Sequence, residues 1–149
     1  MANLILSVQR LREDVILPEV TKQNAGIDLR VITDDKNPVT IQPHKTHKFR
    51  TGIKMDIPEG FYIEVVPRSS TGVKKNLRLL NTVGVLDEGW KGETLVFVEN
   101  MGEEPVTVEN NERLFQMILH RVHPVQVIEV EQVGTSERGE AGFGSSGSL

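Results

Sequence analysis

The sequence predicts an all-β protein, a barrel or sandwich built from roughly ten short strands. Three observations carry that expectation. Apolar and polar residues alternate with strand period, as where Ile27, Leu29 and Val31 interleave with Asp28 and Arg30. Turn signals such as Asp34–Pro38 and Pro58-Glu59-Gly60 separate the alternating runs. No segment sustains helical periodicity. At 149 residues the chain is expected to form one domain with a core of its own.

Taken in order, Asn3–Arg10 opens the series, with Leu4, Leu6 and Val8 pointing one way. A polar, proline-containing link leads to Ala25–Val31, and Val39–Gln42 follows the turn after it. Lys48–Ile57 and Phe61–Pro67 read as two strands joined at Pro58-Glu59-Gly60. The pattern continues through Leu77–Val83, Thr94–Glu99, Val106–Val108, Leu114–Val122 and Val125–Val133. One or two helical turns near Ser70–Lys75, opened by Ser and Thr caps, are the best helix candidate. Thr135–Leu149 departs from the rest, with four glycines, three serines beyond Ser136 and a single aromatic, Phe143. Such a composition buries too little apolar surface to fold alone. The expected division is therefore a β-domain over 1–134 and a tail over 135–149.

Composition excludes several classes. A net charge of −4, with no run of Lys or Arg longer than two, speaks against a nucleic-acid surface. The absence of cysteine rules out disulfides and thiolate metal sites. No basic stretch precedes a long apolar one at the N-terminus, and no apolar run reaches membrane-spanning length, so a cytoplasmic protein without a membrane partner is expected. His44, His47, His120 and His123 are scattered and read as strand and turn residues.

Four clusters carry chemistry. Gly84–Glu93 holds three glycines, the carboxylate of Asp87 beside an apolar Val85-Leu86 pair, and the chain's one tryptophan, Trp90. It reads as a hairpin leading into the next strand, either a decorated surface turn or a seat for a small planar ligand. Pro67–Gly72 places Arg68, Ser69 and Ser70 where a strand ends and a helix begins, as a solvated cap or as an anion site. Asn111–Gln116 enters an apolar strand whose Gln116 is either a ligand contact or an outward polar residue. Gly142–Gly147 fits a linker, or a loop whose N–H groups and hydroxyls wrap phosphates under Phe143.

In order along the chain, Ala25–Leu29, Pro67–Gly72, Asn81 with Gly84–Glu93, Asn111–Gln116 and Arg138–Gly147 resemble the five motifs of the homotrimeric dUTPase family. The resemblance implies a jelly-roll β-barrel, three active sites at subunit interfaces, and Mg2+-dependent hydrolysis of dUTP to dUMP and pyrophosphate. By resemblance, Asp87 contacts the deoxyribose 3′-hydroxyl and activates the attacking water. Asn81 and the backbone near Gly84 and Leu86 read the uracil edge. Arg68, Ser69, Ser70 and Gln116 bind phosphate from other subunits. Arg138, Gly144, Ser145 and Ser146 close over the phosphates, and Phe143 stacks on uracil. Asp28 orients groups behind the metal–phosphate site, with no direct protein ligand to Mg2+. Hydrolysis at phosphorus needs an aligned water, charge neutralisation on the leaving pyrophosphate and exclusion of solvent, and these residues answer each need.

Three positions depart from the family pattern. Trp90 stands where Tyr is usual, packing against the deoxyribose to exclude a 2′-hydroxyl. Ala141 replaces a tail glycine. Asn111 replaces a frequent Gly, and Asn tolerates the left-handed region. The main competitor is a dCTP deaminase of the same fold, which shares an Asp-x-Gly-Trp segment like Asp87–Trp90. That chemistry depends on a glutamate where this chain has Phe97, which transfers no proton. A dUTPase with an added regulatory protein-binding role is the other alternative.

Overall fold

The computed structural model describes residues 4–137, 139, 140 and 142. Among them the strands are β1 (Ser7–Arg10), β2 (Gly26–Val31), β3 (Val39–Ile41), β4 (Thr46–Arg50), β5 (Ile53–Asp56), β6 (Phe61–Pro67), β7 (Leu77–Leu79), β8 (Gly84–Asp87), β9 (Leu95–Asn100), β10 (Val106–Val108) and β11 (Glu112–Arg121). One helix, α1 (Ser69–Lys75), joins β6 to β7. The pairings are antiparallel, in the order β2-β11-β6-β8 for the largest sheet and β4-β9-β7 for the next, with β1-β5 and β10-β3 as two-stranded pairs. This is the all-β architecture expected of the alternating pattern, in the jelly-roll form that the resemblance implies. The inward-facing residues of both larger sheets, among them Leu29, Phe49, Ile63, Val98, Phe115 and Met117, share one core. Burying each such side chain stabilises the fold by about 1.5–3 kcal/mol.

Register decides what the opposite face carries. Directly opposed residues share a face, so Asp28, Gln116 and Val66 project together, and so do His120, Tyr62 and Asp87. Tyr62, Glu64 and Val66 alternate on the same side of β6. The outer face of the largest sheet thus has Asp87 at one end and the Asp28–Gln116 pair towards the other.

Five local expectations differ. Strand β1 begins at Ser7, not Asn3. Lys48–Ile57 is two strands in different sheets, broken at Gly52, which takes φ +69 with Val15 and Ile32 packed where a side chain would stand. The α1 N-cap is Arg68, and no side chain caps it; the Thr71 hydroxyl instead donates to the Leu114 carbonyl. β8 pairs with β6 while β9 pairs with β4 and β7, so Gly84–Glu93 crosses between sheets and is no paired hairpin. No strand forms over 125–133. Its valines stand exposed, with Val127 at 93%, because among the described residues no strand lies beside them.

Candidate active site

The first half of the candidate site exists because β8 and β9 diverge. Between them opens a cleft of about 100 Å³, lined by Asn81, Gly84, Leu86, Leu95 and Phe97 with Val65 at its floor. Gly84 lets β8 lie close on β6, since a Cβ there would stand 3.1 Å from that of Val65. Thr82 turns the chain into β8 with φ +62. Leu86 packs on the core, and the next side chain along the strand, Asp87, is exposed and faces the other way. The alternation that buries Leu86 is what presents the carboxylate.

The segment beyond Asp87 is pinned on both sides. The Trp90 backbone N–H donates to the Asp87 carbonyl at 3.0 Å, and the Glu88 carboxylate accepts from the Gly60 N–H at 2.9 Å. Lys91 donates to Asp56 at 2.6 Å and to the Glu88 carbonyl at 2.8 Å. Glu93 accepts from Arg50 Nε at 3.0 Å and from the Gly52 N–H at 2.9 Å.

The second half lies at the far end of the face that carries Asp87. A polar cavity of about 580 Å³ is bordered by Asn24, Asp28, Arg68, Ser69, Arg113 and Gln116. Arg68 Nε meets Asp28 Oδ1 at 2.9 Å, and an Arg113 guanidinium nitrogen donates to Asp28 Oδ2 at 3.1 Å. Arg68 also donates to the Arg113 carbonyl at 3.2 Å. One carboxylate thus holds two guanidinium groups beside the cavity, leaving a net positive charge. Gln116 Nε2 donates to the Pro67 carbonyl at 3.3 Å. Its Oε1 occupies the space of a missing Gly26 side chain, 2.2 Å from where a Cβ would stand. Ser70 lies across Arg68 from this cavity, in an open cleft with Lys74 and Lys75.

The turn before β11 is braced from the N-terminal side. Asn111 takes φ +61, its side chain donates to the Asp14 carbonyl at 2.9 Å and accepts from the Ile16 N–H at 3.3 Å. A glycine there would make neither bond. Arg12 hydrogen-bonds the Asp14 carboxylate and thereby lowers its pKa from the ordinary 3.8 to about 2. His47, by contrast, has its pKa lowered by burial.

The structure therefore brings Asn81, Gly84 and Leu86 together around one cleft, with Asp87 on the same strand and Trp90 on the turn after it. It gathers Asp28, Arg68, Ser69 and Gln116 around the cavity. Gly84, paired with Val65, sits one row from Gln116, opposite Val66, whereas Asp87 is held apart from Arg68. Tyr62, opposite Asp87, is six residues before Arg68 along β6, a span of about 20 Å at the rise of a strand. The sequence gives Arg113 no role, although it stands inside the Asn111–Gln116 cluster; its position three residues before Asp28's partner Gln116 does not reveal its bond to Asp28. Arg138, Phe143, Gly144, Ser145 and Ser146 lie outside the described residues.

An antiparallel jelly-roll with an apolar-floored cleft and a separate cationic cavity defines a class of small-molecule site suited to a base and an anionic group. The dUTPase family profile matches residues 13–147. A deoxyuridine 5′-triphosphate nucleotidohydrolase of Fusobacterium nucleatum is 38% identical over 144 residues, covering 95% of this chain and 97% of that one. One from Alcanivorax borkumensis is 39% identical over 140 residues, covering 93% and 92%. Among solved structures, the dUTPase of Staphylococcus bacteriophage 80alpha with dUPNHPP superposes with a TM-score of 0.86 at 25% identity, covering 97% of this chain and 99% of that one. The chain belongs to the dUTPase family. Members of this family need a divalent metal.

Proposed function

We infer that this protein hydrolyses dUTP to dUMP and pyrophosphate, in the cytoplasm where deoxynucleotides are made and used, and so keeps uracil out of DNA while supplying dUMP for thymidylate synthesis. The observation that carries the reading is Asp87, presented by β8 next to a cleft of base-like dimensions in a chain of this family. The uracil enters between β8 and β9, where Asn81 and the backbone of Gly84 and Leu86 meet its polar edge. Trp90 packs against the deoxyribose. Asp87 holds the 3′-hydroxyl and accepts a proton from the attacking water. The water oxygen bonds to phosphorus at the α–β bridge, that P–O bond breaks, and pyrophosphate leaves. Phe97, an apolar wall of the cleft, offers no proton transfer for deamination.

The span of about 20 Å from Asp87 to Arg68 within one chain supports a site shared between copies. Arg68, Ser69, Ser70 and Gln116 of a second subunit meet the phosphates, with Asp28 holding Arg68 in place. Exposed Val125, Val127, Ile128, Val130 and Val133 suit a segment that lies against another copy, and a homotrimer is the closed assembly proposed. The tail, 135–149, brings Arg138, Gly144, Ser145 and Ser146 to the phosphates and Phe143 to the base, closing the barrel domain of 1–134.

Among the described residues no group of three His, Asp or Glu is arranged to hold a metal, and Asp28 is already engaged by two guanidinium groups. These donors fit Mg2+ carried chiefly by the substrate's phosphates and by water. Mg2+ supplies charge neutralisation on the phosphates when bound. Incubation with dUTP, dCTP, UTP and dTTP in turn tests the reading. Pyrophosphate from dUTP, with little from UTP or dTTP, is expected; ammonia from dCTP at a comparable rate overturns it.

A further inference from the structure

We propose that Gly92 is the positioning residue for Trp90, and that its bare backbone is the seat on which the sugar selectivity of the site depends. The inference rests on the dUTP-hydrolysing reading and names what fixes the ring that reading assigns to the sugar. Trp90 is half exposed, on a turn between two sheets, and an indole so placed needs something to fix its attitude. Gly92 supplies it. A Cβ built on Gly92 would stand 2.3 Å from Trp90 Cζ2 and 2.8 Å from Cε2 and Cη2. The six-membered part of the ring therefore occupies the space that any side chain at 92 would fill.

The glycine is not there for the backbone's sake. Its φ lies outside the left-handed region, unlike those of Gly52 and Gly60, so an alanine at 92 is compatible with the main chain and only the indole stands in its way. Gly89, in the same turn, differs: a Cβ there meets nothing within 4 Å. The seat itself is firm, because Glu93 is held by Arg50 and the Gly52 N–H, and Lys91 by Asp56 and Glu88. With the floor fixed, the contact between ring and backbone sets where the indole lies. The Trp90 backbone N–H in turn donates to the Asp87 carbonyl, so one main-chain turn carries both the ring and the carboxylate. A methyl added at 92 drives the ring off its seat and out towards solvent. The ring then neither packs on a deoxyribose nor blocks a 2′-hydroxyl.

Trp90 is the one tryptophan of the chain, so its fluorescence reports on this seat alone. Gly92→Ala is expected to shift the emission of the free protein to longer wavelength. It should also lower the ratio of kcat/KM for dUTP over UTP by roughly tenfold or more, as expected for loss of shape selection in a pocket, through a raised KM for dUTP with kcat little changed. Gly89→Ala should leave the emission as in the parent. Any loss of thermal stability caused by Gly92→Ala should vanish in a Trp90→Ala background, where the methyl has no ring to meet. Unchanged emission, an unchanged dUTP-to-UTP ratio, or a stability cost that persists without the indole overturns the proposal. A parent protein inert towards dUTP sinks the functional reading instead, and the emission and stability comparisons still decide the seat.

Discussion

Asp87 and Asp14 are both carboxylates near the surface, yet they stand in opposite situations. Among the described residues Asp87 has no cation bonded to it, which suits a group that must receive a proton from water. Asp87→Asn keeps the size and a hydrogen bond while removing that capacity. It should lower kcat by about 10²–10⁴-fold, the usual worth of a positioned base, with binding of a non-hydrolysable dUTP analogue retained; a change confined to KM would make Asp87 a binding residue only. Asp14 is committed to structure, its pKa brought down to about 2 by Arg12. A carboxylate whose pKa is lower in the fold than in the unfolded chain adds stability that is complete above the unfolded value of 3.8 and fades as pH falls towards about 2. Asp14→Asn should therefore be less stable than the parent at pH 6, with the gap in urea midpoint closing on acidification. A gap that stays constant from pH 6 to pH 2 would show that the Arg12–Asp14 bond is not its source.

At the scale of elements, the legible parts were those written in local chemistry. Period-two alternation located β2, β6, β9 and β11, Pro58-Glu59-Gly60 is a turn with Gly60 at φ +75, and the short helix lies within a residue of its expected start. Pairing was not legible. Nothing in Gly84–Glu93 says that β8 joins β6 instead of β9, because that choice is made by Val65 and the core beneath it. Gly52 breaks Lys48–Ile57 for an equally distant reason, the packing of Val15 and Ile32. In the site, motif residues were legible one cluster at a time, whereas Arg113's bond to Asp28 depends on register across β2 and β11. Gly52→Ala tests the break directly: with φ +69 and two side chains in the way, it should cost about 1–3 kcal/mol in chemical unfolding. Val125–Val133 shows the converse error, a strand pattern without a strand beside it among the described residues. Truncation after Val133 keeps that segment and removes the tail. It should leave a folded protein that hydrolyses dUTP very poorly, and turnover at the full-length rate would make the tail a linker.

The whole molecule supplies the reason for an assembly. Asp87 and the cationic cavity share one face of one sheet, yet Asp87 lies about 20 Å from Arg68 at the rise of a strand. In the proposed reaction a water held by Asp87 attacks a phosphate that Arg68 also reaches, and a neighbouring chain's Arg68 is the one proposed to do so. A closed ring of copies allows this if each cleft meets a neighbour's cavity. Light scattering should then report about three times the 16.7 kDa chain mass. Mass alone does not prove sharing, and mixed assemblies do. Asp87→Asn and Arg68→Ala variants should each be nearly inactive when assembled alone. Unfolded together in equal amounts and refolded, they form rings in which roughly a quarter of the sites pair an intact Asp87 from one chain with an intact Arg68 from its neighbour. Activity should rise towards a quarter of the parent's. If the two residues served the same site from within one chain, every site in the mixture would carry one of the two substitutions, and mixing would restore nothing.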